Sequence, residues 1–239
     1  MASCSHTPAT AACRPRPAQL NGLFPPSPSR GVPRSAWATR GPRAGRLVAA
    51  GAGKSVLVPV GNGVEEMEAV ITIDVLRRAG AEVTVASVED DVKVTCSRGV
   101  QLVADANIAE CATTEYDLIA LPGGMPGAER LRDSEVLAKL LGEQASRKGL
   151  YAAICASPAV VFQSQNLLNG RKATSHPAFV DRLADQSSAA SRVVVDGNLT
   201  TSRGPGTAFE FALSLVQQLF GEEKMKEVAG PMVMYDYTH

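Results

Sequence analysis

One cysteine, Cys155, lies within a run of small and apolar residues, 151–158 (YAAICASP). The residues before Cys155 are typical of a buried strand, and those after it of the start of a helix. Such a turn, with small neighbours, holds a nucleophile out over the edge of a sheet. The positive end of the helix dipole favours a thiolate there. The pattern indicates a nucleophilic cysteine, although a buried cysteine that only packs has the same spacing.

A histidine is the first candidate partner for this thiol. His6 lies in a segment unlike the rest of the chain and His239 is the last residue, which leaves His176 in the folded part. It precedes Pro177 in a predicted loop that enters a helix. An imidazole beside a thiol could act as a general acid or base. A histidine with only a structural role fits the same position.

A glutamate is the second candidate partner. Acidic residues in the first turn of a helix are expected from the helix dipole alone, which accounts for Glu65 and Glu66. Glu68 lies one turn further in, beside the apolar residues 69–71, and we expect it to point inward. A buried carboxyl next to a thiolate is predicted to be protonated, because desolvation and the like charge both raise its pKa.

The elements that must position these side chains alternate between strand and helix. Short apolar runs predict strands, and apolar residues at helical spacing predict helices. The predicted strands are 55–60, 82–88, 92–96, 100–103, 117–121, 149–154, 192–195 and 199–202, and the predicted helices are 65–79, 134–147, 158–163, 207–220 and 222–228. This alternation predicts a mainly parallel sheet with helices on both faces. Its carboxyl edge would bring residues 61–68, 121–124 and 154–158 together.

The first 53 residues have a different composition. They contain seven of the 24 basic residues, all Arg, no acidic residue, and 8 of the 15 Pro. This is typical of an organellar transit peptide, and the prolines oppose the long amphipathic helix of a mitochondrial one. We expect residues 1–53 to be a disordered plastid transit peptide, cleaved between Arg46 and Lys54, with mitochondrial targeting or an untargeted tail as alternatives. Residues 54–239 would form one α/β domain.

Several classes of protein are disfavoured. The formal net charge is zero, and no basic cluster of the kind that binds nucleic acid is present in the domain. No apolar run is long enough for a transmembrane helix, and five Cys do not form a disulfide framework. The glycines of residues 61–63 lack the dinucleotide-binding spacing. We therefore expect no metal, no cofactor, no membrane association and no specific nucleic acid.

Taken together, the motifs resemble the ThiJ/PfpI family, and within it the DJ-one branch associated with Parkinsonism in animals. The segments that carry this resemblance are 65–68 (EEME), 77–80 (RRAG), 96–98 (CSR), 121–124 (LPGG), 152–156 (AAICA), 176–177 (HP) and 201–207 (TSRGPGT). The resemblance implies a flavodoxin-like three-layer α/β sandwich with a nucleophile elbow, and a homodimer. It also implies that Cys155 is the nucleophile, Glu68 its protonated partner and His176 the proton-transfer residue.

The resemblance implies further site residues. Backbone N–H groups of Gly123, Gly124 and Ala156 would form an oxyanion site. Arg78 and Arg98 match basic positions that line the family's anion-accepting pocket near the dimer interface.

The chain also departs from the family pattern. Ser157 replaces a glycine that is common after the elbow, and Val103 stands where some relatives have a cysteine. Cys96 matches a peripheral interface cysteine. Plant relatives often carry two tandem copies of the domain, and this sequence contains one, so we expect it to dimerise.

The predicted function is that of a glutathione-independent glyoxalase of the glyoxalase III type. The thiolate would form a hemithioacetal with methylglyoxal or glyoxal, and lactate or glycolate would be released. A related activity would be deglycation of early glyoxal adducts on proteins or nucleotides. The alternative is a redox sensor and holdase chaperone based on oxidation of the same cysteine. An intracellular peptidase is a third possibility on this fold.

Overall fold

A seven-stranded sheet forms the centre of the protein, in a computed structural model that describes residues 53–234. Nine strands are present in these residues, seven in the central sheet and two, β3 and β4, in a separate hairpin. They are β1 Ser55–Val60, β2 Glu82–Ser87, β3 Lys93–Thr95, β4 Gln101–Val103, β5 Ala106–Asn107, β6 Leu118–Leu121, β7 Leu150–Ile154, β8 Val193–Asp196 and β9 Leu199–Ser202. Their order in the sheet is β5-β2-β1-β6-β7-β9-β8, and only β8 runs antiparallel. The predicted transit peptide, up to residue 52, lies outside the described residues.

Helices flank this sheet, as the alternating pattern predicts. They are α1 Glu66–Arg78, α2 Gly127–Asp133, α3 Glu135–Ser146, α4 Ala208–Phe220 and α5 Glu222–Ala229. Helix α1 packs against α4, and α3 packs against α2 and β7. The predicted mainly parallel α/β architecture is confirmed. Among the helices of residues 53–234, none is both long and apolar enough to cross a membrane.

The central strands form where β-branched and aliphatic residues are continuous. In β1 every residue after Ser55 is buried, as expected for a strand covered by helices on both faces. The ladder from β1 to β6 pairs Val56 with Leu118 and Leu57 with Ile119 and stops there. It ends before Pro59, which has no N–H to donate.

A separate two-stranded hairpin, β3–β4, is attached to the turn that follows β1. The N–H of Gly63 donates to the carbonyl of Thr95 at 2.8 Å, and the N–H of Thr95 donates to Oδ1 of Asn62 at 2.9 Å. The carboxylate of Glu66 accepts from the Ser97 hydroxyl at 2.9 Å. The hairpin therefore fixes the turn from which α1 starts.

Three elements differ from the prediction. Strand β5 has two residues and helix α2 has seven, and neither was predicted. The segment after the elbow, Pro158–Phe162, forms a π-helical turn instead of the predicted α-helix. The other predicted elements are present, with ends that shift by at most one residue.

Candidate active site

The strand-to-helix turn predicted at Cys155 is present and strained. Cys155 follows β7 directly and has φ 65°, in the left-handed region that costs a side-chain-bearing residue roughly 1–2 kcal/mol. Three hydrogen bonds hold it there: its N–H donates to the carbonyl of Ser202 at 2.9 Å, and its own carbonyl accepts from the Ser175 hydroxyl at 2.6 Å and the His176 N–H at 2.8 Å. The backbone of the elbow is therefore fixed from two neighbouring segments.

Glu68 reaches the same place from α1. Helix α1 starts at Glu66 because the carboxylate of Glu65 accepts a hydrogen bond from the N–H of Glu68 at 2.8 Å and so caps the first turn. The Glu68 side chain points inward and is 0% exposed. Its Oε2 accepts a hydrogen bond from the N–H of Gly123 at 2.8 Å, and its Oε1 has no partner with hydrogen-bond geometry within residues 53–234.

The loop after β6 approaches the elbow so closely that only glycine fits. A Cβ on Gly123 would lie 2.6 Å from the Cβ of Cys155 and 2.9 Å from the nitrogen of Ala156. Gly124 has φ +90°, and a Cβ there would lie 2.4 Å from the nitrogen of Glu65. The two glycines thus bring the loop against both the elbow and the start of α1.

The thiol and the carboxyl compete for a proton. Burial raises the pKa of Glu68 to about 7, with a further contribution from the charge of Glu65, although the Gly123 N–H acts to lower it. Burial and the negative charge of Glu68 raise the pKa of the Cys155 thiol to about 12, against the N–H groups of Gly124 and Ala156. The sequence predicted a favoured thiolate, but the sulfur is buried next to an acid, and this outweighs the helix start.

The backbone donors therefore divide into two groups. The N–H groups of Gly124 and Ala156 interact with the sulfur of Cys155 and could stabilise negative charge that develops beside it. The N–H of Gly123, expected in the oxyanion site, is bound to Glu68 instead. Gly123 thus positions the acid, and Gly124 and Ala156 are the oxyanion donors that the structure leaves.

His176 is 21 residues from Cys155 in the sequence, but its backbone is hydrogen-bonded to the elbow. Its N–H is bonded to Cys155, and its Nδ1 accepts from the N–H of Ala178 at 3.1 Å. A neutral ring in this arrangement carries its proton on Nε2, which is the nitrogen left for proton transfer. The ring is half-buried, and a Cβ on Gly204 would lie 3.4 Å from its Cδ2.

The two arginines of the expected anion pocket both have exposed side chains. Arg78 lies ten residues beyond Glu68, about 15 Å along α1, and its exposed side chain pairs with Asp74 at 2.6 Å. Arg98 is exposed in the turn between β3 and β4, where its backbone N–H donates to Glu66 at 2.8 Å. The expected pocket lies near a dimer interface, so the placement of both arginines in it stays a prediction.

The other two described cysteines are buried and belong to the core. Burial and the charges of Glu66 and Glu65 raise the pKa of the Cys96 thiol to about 11. Burial also raises the pKa of the Cys111 thiol. Within residues 53–234 no group of three or more His, Cys, Asp or Glu side chains could hold a metal ion.

Sequence reasoning assigned no role to two serines of the site. Ser175 donates to the carbonyl of Cys155, and the buried Ser157 donates from its hydroxyl to the carbonyl of Pro122 at 2.5 Å. Both join segments that are distant in sequence. The departure from glycine at position 157 was the one signal that pointed to either of them.

The sequence matches the model of the DJ-1/PfpI family over residues 54–218. It is 50% identical over 182 residues to the Arabidopsis thaliana protein named Protein DJ-1 homolog B, covering 76% of this chain and 42% of that protein. The chain thus spans less than half the length of this plant relative. It is 34% identical over 172 residues to the Caenorhabditis elegans protein named Glutathione-independent glyoxalase DJR-1.2, covering 71% of this chain and 90% of that one.

Solved structures share the fold. The structure described as Toxoplasma gondii DJ-1, oxidized, superposes with a TM-score of 0.75 at 49% identity, covering 77% of this chain and all (100%) of that one.

Proposed function

Since the chain belongs to the DJ-1/PfpI family, we propose that it is a glutathione-independent glyoxalase that converts methylglyoxal to lactate and glyoxal to glycolate. One observation carries the proposal: a fully buried carboxyl, whose pKa is raised to about 7, lies beside the thiol of a strained elbow. A general base is most effective when its pKa lies near the working pH. The relative named as a glutathione-independent glyoxalase supports the same chemistry.

In the first step, Glu68 accepts the thiol proton as the sulfur of Cys155 attacks the aldehyde carbon. A C–S bond forms, and the electron pair of the C=O bond moves to oxygen. The N–H groups of Gly124 and Ala156 stabilise this alkoxide. Return of the proton from Glu68 to the oxygen gives the neutral hemithioacetal.

In the second step, the Glu68 carboxylate moves the proton of the former aldehyde carbon to the neighbouring carbon through an enediol. His176 donates its Nε2 proton to the oxygen of that neighbouring carbon and then accepts the hydroxyl proton of the former aldehyde carbon, so the ring returns to its starting form. The aldehyde carbon is oxidised to a thioester and the neighbouring carbonyl carbon is reduced to an alcohol, so no external oxidant is needed. Water then cleaves the C–S bond, releasing the 2-hydroxy acid and the thiol. The sum is the addition of one water to the dicarbonyl. Deglycation of early glyoxal adducts would use the same first step.

The test is methylglyoxal turnover by the full chain, without glutathione or added metal, with lactate measured as the product. We expect Cys155→Ala to reduce lactate formation to the uncatalysed rate. Cys111→Ala is the matched control, because it removes another buried cysteine and should retain turnover. Undiminished lactate formation by Cys155→Ala would overturn the proposal.

A second candidate function is redox sensing with holdase chaperone activity. The observation that favours it is the set of hydrogen-bond donors next to the sulfur of Cys155. The N–H groups of Gly124 and Ala156 and a protonated Glu68 could together stabilise a sulfinate. Limited peroxide should add two oxygen atoms to the peptide that contains Cys155 and leave Cys96 and Cys111 unmodified. Oxidation scattered over all three cysteines would contradict this candidate.

We also propose that the protein acts as a homodimer in the plastid stroma. The acid-free, Arg- and Pro-rich composition of residues 1–53 supports the location. Fusing those residues to a fluorescent protein should direct it to chloroplasts, and mitochondrial or diffuse fluorescence would contradict that location. Sedimentation of the purified chain would measure its oligomeric state.

A further inference from the structure

Ser157 is connected to Glu68 through a single peptide group. The Ser157 hydroxyl donates to the carbonyl oxygen of Pro122 at 2.5 Å. That carbonyl and the N–H of Gly123 are the two ends of one peptide unit. The same N–H donates to Oε2 of Glu68 at 2.8 Å. Both hydrogen bonds are buried, and Ser157 and Glu68 are each 0% exposed.

Hydrogen bonds arranged in such a chain strengthen one another. Resonance in the planar peptide links its oxygen and its nitrogen. A donor at the oxygen draws electron density away from the nitrogen, so the N–H becomes a stronger donor. A stronger donor to a carboxylate favours the ionised form. The Ser157 hydroxyl therefore acts on the proton of Glu68 without touching it.

We propose that Ser157 is a positioning residue that sets the proton affinity of Glu68 through the Pro122–Gly123 peptide. The inference deepens the proposed function, since Glu68 is the base in that mechanism. The backbone at Ser157 has φ −63° and ψ −33°, which any residue adopts, so the conformation does not require serine. The hydroxyl is the feature that Gly or Ala would lack.

The other groups that act on Glu68 come from each element packed against it. Glu65 lies at the start of the same helix, Cys155 lies at the end of β7, and the Gly123 N–H belongs to the loop after β6. Substitution of Ser157 leaves the two titratable neighbours in place. A shift in the titration midpoint of Glu68 and Cys155 can then be attributed to the hydrogen bond that the Pro122–Gly123 peptide makes to Glu68.

The test is the pH dependence of Cys155 alkylation by iodoacetamide in the full chain, quantified on the peptide that contains Cys155. At acid pH both groups hold protons, so Ser157→Ala should react at the wild-type rate. Above the midpoint the pair holds one proton, and a weaker bond to Glu68 moves that proton from sulfur to carboxyl. We expect the midpoint to rise by about 0.2–0.5 pH unit and the plateau rate to rise by the same factor, about 1.5- to 3-fold.

Three further variants separate this effect from a general loss of packing. Thr174→Val removes the hydroxyl of an equally buried residue, which donates to the carbonyl of Ala189, outside the elbow and the loop after β6. It should destabilise the fold without moving the midpoint. Ser157→Thr keeps the hydroxyl and should restore the wild-type profile, whereas Ser157→Gly should match Ser157→Ala.

An unchanged midpoint in folded Ser157→Ala or Ser157→Gly would overturn the inference, as would a shift in Ser157→Thr equal to that in Ser157→Gly. The readout needs no glyoxalase turnover. A wild-type protein without lactate formation would therefore refute the proposed function and still allow this test.

Discussion

The two edges of the sheet both carry acidic and basic residues, but they use them differently. At the amino edge, a cavity of about 480 Å³ is lined by Lys54, Asp117, Arg147 and their neighbours. Its charges are paired and partly exposed: Lys54 lies 3.2 Å from Asp117, and Arg147 lies 3.0 Å from Glu115. At the carboxyl edge, Glu68 is fully buried and has no cationic partner among the described residues.

The pKa directions follow from this difference. Burial acts to raise the pKa of Asp117, but the Ser55 N–H and the Lys54 ammonium outweigh it and hold the value below its usual range. At Glu68 burial dominates and raises the pKa. An acid satisfied by a cation is fixed in one state, whereas a buried acid without one can exchange its proton near neutral pH. The size of a cavity is therefore a poorer guide to chemistry than the pairing of the groups around it.

The largest expected effect is on turnover. Glu68→Gln keeps the shape of the side chain and removes the base, so methylglyoxal turnover should fall by about 10²–10⁴-fold. Asp117→Asn, the matched change at the amino edge, should leave kcat within twofold. Steady-state kinetics on both variants would check this. A comparable loss of kcat in the two variants would remove the distinction between the edges.

The next effect is on stability, and it has opposite signs at the two edges. The raised pKa of Glu68 means that ionisation opposes folding, so stability is lost as pH rises from 4.5 through about 7. Relative to wild type, Glu68→Gln should gain up to about 3 kcal/mol across that range. The pKa of Asp117 is lowered in the folded state, so its ionised form stabilises the fold above pH 3.8. This stabilisation is lost as pH falls below 3.8. The loss of stability caused by Asp117→Asn should therefore become smaller in acid.

Urea unfolding of wild type and both variants between about pH 2 and pH 9 measures this directly. Parallel stability curves for wild type and Glu68→Gln would show that the carboxyl does not change its charge in the folded protein over that range. Glu68 and Asp117 would then differ in where they lie, but not in how their protonation affects stability.

The smallest expected effect isolates backbone strain at the elbow. Cys155→Gly and Cys155→Ala both remove the sulfur, but only glycine adopts φ 65° freely. We expect Cys155→Gly to be more stable than Cys155→Ala by about 1 kcal/mol. Ala153→Gly, in the regular part of β7, should instead lose stability. Thermal unfolding of the three variants checks the order, and a less stable Cys155→Gly would argue against strain at this position.

Sequence patterns predicted those features of the site that depend on neighbouring residues. The apolar run of β7 ends at Ile154, and the small residues that follow indicate the elbow. The start of α1 was visible because acids cluster in its first turn, and its inward-facing Glu68 lies beside apolar residues. The hairpin of β8 and β9 was visible from Asp196-Gly197.

Features that depend on distant residues were missed. The bond from Gly123 to Glu68 joins positions 55 residues apart, and the bond from Ser157 to Pro122 joins positions 35 apart. No local pattern encodes such pairs, and the family resemblance implied instead that Gly123 donates to substrate. The helix dipole also predicted a favoured thiolate at Cys155, because sequence alone does not show how completely the sulfur is buried. Helix α2 is too short to show a helical period.

The hydrogen bond from the Cys155 N–H to Ser202 closes the ladder between β7 and β9 at its carboxyl end. Amide hydrogen exchange at this position requires that end of the two strands to separate. Deuterium uptake at the Cys155 amide thus measures the free energy of opening at the residue that carries the reactive sulfur. Ligands that bind only the folded state would slow that uptake in proportion to their occupancy.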